Sequence, residues 1–317
     1  MITSNRLLPL LGVMFAFCLL ALPAQAQTRT WVSSAGSDGN SCSRTSPCKT
    51  FAGAITKTAA GDEINCLDAG EFGRVNINKS ITISCEAGTA GALGGSFSGI
   101  SVETLATDVV YLRGLDISGT GSGVAGIQVS AVGALHVEHC LIHRFNSGTA
   151  AGIYFVTEGT SKLFVSDSTI ADNGSDTQGG GIVINASKTA RVDATLSRVH
   201  VENNSLVIKV THSFGTSTVN LTVIDSIAAG NTSYDVSIFT ANGRGTSNVM
   251  IDRTSLTGSN VGLRSDGPAT TVRIGNSVIF GNVTGVESAN GGKLETYDTN
   301  QLNGNTTDGS MVPIRPR

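Results

Sequence analysis

The stretch LFVSDSTIADN, residues 163–173, decides the fold. With Ser168 as an anchor, apolar residues stand at −5 (Leu163), −3 (Val165) and +2 (Ile170), and Asn173 stands at +5. The first half alternates with the period of a β-strand, a Ser-Asp-Ser corner follows, and a second short strand begins. The same frame returns at Leu115, Cys140, Ser197, Ser226, Thr254 and Ser277, and at Asn300 with a one-residue slip. These anchors lie 25, 28, 29, 29, 28, 23 and 23 residues apart, and Asn173, Asn231, Asn282 and Asn305 recur at +5. A glycine followed by alternating apolar residues adds a third strand, as in Gly152-Ile153-Tyr154-Phe155 and Gly181-Ile182-Val183-Ile184.

Units this short, with three strands and no helical segment, cannot bury a hydrophobic face alone. Stacking them does so, because each coil hydrogen-bonds to the next and the inward side chains merge into one core. The frame therefore predicts an all-β protein, a parallel β-helix of about eight to nine coils. At ~4.8 Å per coil that is a rod of roughly 40 Å. A leucine-rich repeat has a similar period but demands leucine dominance and a helical turn per repeat. Here valine and isoleucine fill the core positions and glycine the turns. Asparagine and serine at the corners fit, since their side chains bond turn backbone.

The ends differ from the repeat, as terminal units of a solenoid must. Residues 1–26 read as a signal peptide: Arg6, an apolar run from Leu7 to Leu22, and the small-x-small site Ala24-Gln25-Ala26. The chain is thus expected to be exported, to the periplasm or outside the cell, with no later segment long enough for a membrane span. Residues 27–61 form an N-terminal segment in which Phe51, Ala54, Ile55 and Ala59 share a helical face that ends at Gly61. This helix is expected to cap the first coil. The β-helix spans 62–308, and 309–317 is a tail expected to be unstructured or a weak cap. Of five cysteines beyond the signal, Cys42–Cys48 and Cys66–Cys85 are expected to pair, leaving Cys140 over.

The segments WVSSAGSDGNSC (31–42), SPCKTFAGAI (46–55), AAGDEINCLDAGEFG (59–73) and VNINKSITISCEAG (75–88) carry a resemblance. The chain resembles the right-handed parallel β-helix proteins of the pectin-lyase-like superfamily. That resemblance implies a right-handed solenoid and a relation to proteins that bind, cleave or epimerise polysaccharides. It supplies no catalytic residue. The N-T-D, D-D, G-H-G and D-P-H-D elements of its hydrolase and epimerase branches are absent.

The search for chemistry therefore rests on the frame. Asp167 and Asp225 share the corner before the anchor, but the frame puts Leu196 between them, so they do not form the adjacent carboxylate pair that glycoside hydrolysis needs. Arg198 and His200 are placed outward on one strand, with His143 in the second column one coil beyond Ala171, and no acid cluster beside them. The −4 column reads Tyr111, His136, Phe164, Asp193, with Arg113 and Glu138 beside it. Rings on successive coils would form an outward strip able to stack on sugar, unless a loop covers them. Residues 172–181 hold two aspartates in a glycine-rich loop, a candidate for calcium or a plain turn, since the ligand spacing is irregular. His136, His139, Cys140 and His143 imitate a metal motif, but their side chains diverge around a corner, and no metal is assigned.

A net charge of −3, with 14% charged residues, excludes a general nucleic-acid binder. The expected function is binding, with or without processing, of a polysaccharide along the flank of a monomeric rod, with no cofactor predicted beyond calcium. The alternatives are a structural or adhesion rod, and a polysaccharide lyase or glycoside hydrolase whose site the sequence does not reveal.

Overall fold

A computed structural model describes residues 29–85, 90–176 and 178–315, so the expected signal peptide lies outside the described residues. The chain winds into a parallel β-solenoid of three sheets with twelve, ten and nine strands, each strand pairing in parallel with its counterparts one coil away. The founding stretch shows the plan. Thr160–Ser166 lies in the twelve-stranded sheet, Thr169–Ala171 in the ten-stranded sheet and Gly180–Lys188 in the nine-stranded sheet. Alternation sends Leu163 inward, where it stacks with Leu135, Ala194, Leu221, Val249, Val272 and Leu294, all buried. Period two thus becomes a continuous core along the axis.

The corner between the first two strands of each coil turns on one residue in the left-handed region. His139, Asp167, Arg198, Asp225, Arg253 and Asn276 have φ of 53, 50, 54, 52, 46 and 50°. Non-glycine residues rarely adopt this conformation, and the repetition shows that the stacked ladder on both sides enforces it. The second corner is held by an asparagine ladder. The backbone N–H of Asn173 donates to Asn204 Oδ1 (2.9 Å) and that of Asn204 to Asn231 Oδ1 (2.9 Å). Asn173 and Asn204 also donate Nδ2–H to the carbonyls of Ile142 and Ile170, at 3.1 and 2.9 Å.

Asn204 reveals a register shift. Ser166 pairs with Ser197 and Thr169 with His200, so Val199, not Ser197, lies opposite Ser168. The true frame in that coil starts two residues later than the sequence pattern places it. A two-residue slip keeps every side chain on its own face, so alternation cannot detect it. The corrected frame puts Arg198, not Leu196, in the corner between Asp167 and Asp225.

At the N-terminal end, Phe51–Ile55 forms a five-residue helix whose N-cap Thr50 accepts the N–H of Gly53 at 2.9 Å. Phe51, Ala54 and Ile55 are buried against strands 29–32, 63–66 and 75–77, but Ala59 is exposed and outside the helix. Thr58 explains the early stop. Its hydroxyl bonds back to the Ala54 carbonyl (2.8 Å) and to Thr30 Oγ1 (2.7 Å), competing with further helical turns. Cys42–Cys48 and Cys66–Cys85 are bonded, and Cys140 is free and buried, its thiol pushed up to about 12 by burial. The tail does not leave the solenoid. Val312–Pro313 adds a strand beside Glu295–Thr296, and Thr307 bridges to Thr284.

Candidate functional site

The twelve-stranded sheet carries the candidate site. Strands 109–113, 134–138 and 160–166 stand in register, which places Tyr111, His136 and Phe164 side by side and pointing outward. Their rings stack, with centroids 4.3 and 4.6 Å apart and 21° between planes in both pairs. The neighbouring column pairs Arg113 with Glu138 (2.9 Å), and the Arg113 guanidinium lies 5.2 Å from the Tyr111 ring centre. His136 lies 4.0 Å from Glu138, yet burial between the two rings is the larger influence and lowers its pKa, favouring the neutral imidazole. All five residues predicted from sequence therefore meet on one surface.

His136 is covered by a ring on both faces, whereas Tyr111 and Phe164 each give it one face, and His136 keeps only 22% of its side chain exposed. The column is a stack of three rings in which the middle one offers no open face. It does not end at Asp193, as the sequence frame had it. Phe164 pairs with Thr195, and Asp193 pairs with Lys162, because of the two-residue shift. The same outward row continues through Thr222 and Met250. There it reaches a shallow groove of about 500 Å³, lined by Thr222, Ile224, Met250, Asp252, Asn276 and Tyr297. That volume falls within the range of small-molecule sites.

The other sequence candidates disperse. Arg198 lies in the corner, holding Asp167 through Nε and Nη2 at 2.6 and 2.8 Å, and Arg253 holds Asp225 likewise at 2.7 and 3.2 Å. These aspartates are held below the usual carboxylate range mainly by those guanidinium bonds. They are partners in a charge ladder, not a pair facing a substrate. His200 falls in a different column from His143, which faces Ala171 and, beyond it, Glu202. In the 172–181 loop, Asp176 Oδ1 accepts the N–H groups of Gln178 and Gly179 at 2.7 and 3.1 Å, a plain turn. Among the described residues no three His, Cys, Asp or Glu side chains are placed to hold a metal ion.

No family model matches the chain, and no curated protein matches it. The crystal structure of pectate lyase Pel9A superposes with a TM-score of 0.61 over 92% of this chain and 78% of that one, at 16% identity. The fold is a parallel β-helix like that of this lyase. At that identity the likeness concerns the fold, and function must come from the site.

Two features of this β-helix escaped the sequence frame. On the ten-stranded sheet, His143 Nε2 lies 2.7 Å from Asp116 Oδ1. Nearby, the Glu71 carboxyl lies over Gly91, and burial together with the Asp116 charge raises its pKa. Glu71 precedes the first repeat, so no column could align it with Asp116. On the nine-stranded sheet, Lys209, Ser237 and Arg264 form one outward row beside a groove of about 540 Å³. Its cations are engaged within the protein: Lys209 with Gln178 (2.6 Å), and Arg264 with Asp266 (2.7 Å), Glu287 (3.3 Å) and Tyr234 (3.2 Å). Among the described residues no helix is long and apolar enough to cross a membrane.

Proposed function

We propose that the protein is an exported, monomeric β-helix that binds a polysaccharide along the flank of its twelve-stranded sheet. The observation that supports this is the single outward row running from the ring column at Tyr111, His136 and Phe164 into the groove at Met250 and Tyr297. Five coil steps separate Tyr111 from Met250, roughly 24 Å at strand spacing, a length suited to a chain ligand rather than a monosaccharide. Because the rings are packed against each other, little side-chain freedom is lost when a ligand settles on them. Arg113 and Glu138 supply hydrogen-bonding groups beside the rings. Export is supported by the two disulfides, which persist in oxidising compartments.

The test is a glycan array on the mature protein, with and without calcium, followed by titration of the best ligand. Tyr111→Ala and Phe164→Ala are expected to weaken binding about tenfold each, with no calcium dependence. Unchanged affinity in both variants would remove this flank as the site. Ligands that bind should also be incubated with the protein and assayed for unsaturated products and new reducing ends, which separates a lyase or hydrolase from a binding protein. Binding of no glycan at all would favour the structural-rod reading, in which the ring column only stiffens the solenoid.

A further inference from the structure

A buried column of glycines is interrupted at two positions, and one of them carries a carboxyl. On the inward edge of the nine-stranded sheet, the same column holds Gly126, Gly152, Gly181, Val207, Asp235, Gly262 and Gly285. Space explains the glycines. A Cβ on Gly152 would come within 2.6 Å of the Ile170 side chain, and one on Gly262 within 2.7 Å of the Gly285 carbonyl. Asp235 puts a carboxyl in this crowded column, fully buried. Its Oδ1 accepts Asn231 Nδ2–H at 2.9 Å and the Ser259 hydroxyl, while its buried Oδ2 has no hydrogen-bond partner.

We infer that Asp235 is a proton-operated latch on the corner formed by Asn231, Asp235 and Ser259. The closed coil holds the neutral carboxyl; loss of the proton opens the corner to water. A neutral acid keeps the two donors on Oδ1 and leaves only an uncharged O–H without a partner. A carboxylate leaves charge on a dry oxygen, and burying charge without partners is costly enough that water must enter. Titration agrees: burial pushes the Asp235 carboxyl up to about 7, with the Ser259 and Asn231 hydrogen bonds opposing it and no charged group contributing. The elements packed on it do carry charges: Lys209 and His212 on strand 206–215, and Arg264 and Asp266 on strand 261–266. The residues those strands place directly beside Asp235 are Val207 and Gly262. Tyr234, its neighbour in sequence, lines the 540 Å³ groove, so opening the corner also moves that wall.

The experiment is the pH dependence of unfolding by denaturant, from pH 4 to 9, for the unmodified protein, Asp235→Asn and Asp235→Gly. The glycine variant restores the column's usual residue and serves if the amide disrupts folding. Relative to either variant, the unfolding constant of the unmodified protein is expected to rise up to tenfold per pH unit between about pH 4 and 7, then level off. Other titrating groups are shared and cancel in the comparison. A protonated-carboxyl infrared band, absent from both variants and lost above neutral pH, is the second signature. A difference between proteins that stays constant from pH 4 to 9 overturns the latch. No glycan is involved, so the result stands apart from the flank proposal.

Discussion

Asn204 is gripped from both sides: its Oδ1 accepts the backbone N–H of Asn173 at 2.9 Å and the Nδ2–H of Asn173 at 3.1 Å, while its own backbone N–H reaches Asn231 Oδ1 at 2.9 Å. It is wholly buried, and its Nδ2 also donates to the carbonyls of Ile170 and Glu202. One side chain therefore satisfies polar groups of its own coil and the preceding one, while the backbone N–H ties the residue to the next. Asn204→Ala leaves the Asn173 N–H and the Ile170 carbonyl buried without that partner, and is expected to cost about 3 kcal/mol. Asn248→Ala, which removes only an exposed bond to Asn220, is the control and should stay within about 0.5 kcal/mol. Denaturant midpoints of both variants check this.

The same residue shows where sequence reading stopped. Apolar spacing around Ser168 was enough for the solenoid, since inward columns must repeat if coils are to share a core. It could not locate Val199, because Ser197 and Val199 sit on strand positions of the same facing. The missed signal was Asn204, which stands five residues after Val199 as Asn173 stands five after Ser168. The ring strip was legible because its three coils keep one frame. Its mutual stacking was not, because alternation assigns a face and says nothing of ring orientation. Asp235 was invisible for another reason: an acid in a glycine column has meaning only once the column is known.

His212 gives a pH dependence opposite in sign to that of Asp235. It is buried, with Nδ1 2.6 Å from Ser217 Oγ and Nε2 2.8 Å from Ser247 Oγ, and burial lowers its pKa to about 4. The unfolded chain protonates it near the ordinary 6.5. Between about pH 4 and 6.5 the unfolded state binds more protons, so this residue's contribution is full above 6.5 and is lost as pH falls towards 4. His212→Gln should remove that slope. Denaturation of the two proteins at pH 4.5 and pH 7 reads it directly, and an equal stability difference at both would contradict it.

The two disulfides should differ in worth. Cys66–Cys85 spans 19 residues and Cys42–Cys48 spans 6. By loop-closure entropy the longer loop stabilises by about 3 kcal/mol and exceeds the shorter by about 1 kcal/mol. Replacing both cysteines of each pair with alanine, one pair at a time, and comparing denaturant midpoints tests the order. Thiol counting in denaturant should find one free thiol in the mature protein, Cys140, and none reactive before unfolding, because it is buried and its thiol is held protonated.

The middle ring separates the column's two roles. His136→Ala removes both stacked contacts and is expected to cost about 1 to 3 kcal/mol of stability. His136→Phe keeps an aromatic ring between Tyr111 and Phe164 and should restore most of that loss. If the column guides a glycan, affinity follows the same order: near the original for the phenylalanine variant and about tenfold weaker for alanine, equivalent to about 1.4 kcal/mol. The imidazole also predicts a pH effect. Burial disfavours the charged imidazole and outweighs the pull of Glu138, so the unmodified protein should lose stability as pH falls below the ordinary histidine value of about 6.5, whereas the phenylalanine variant should not. Melting curves and glycan titrations on the three proteins settle both points: a stability order without an affinity order would make the column purely structural.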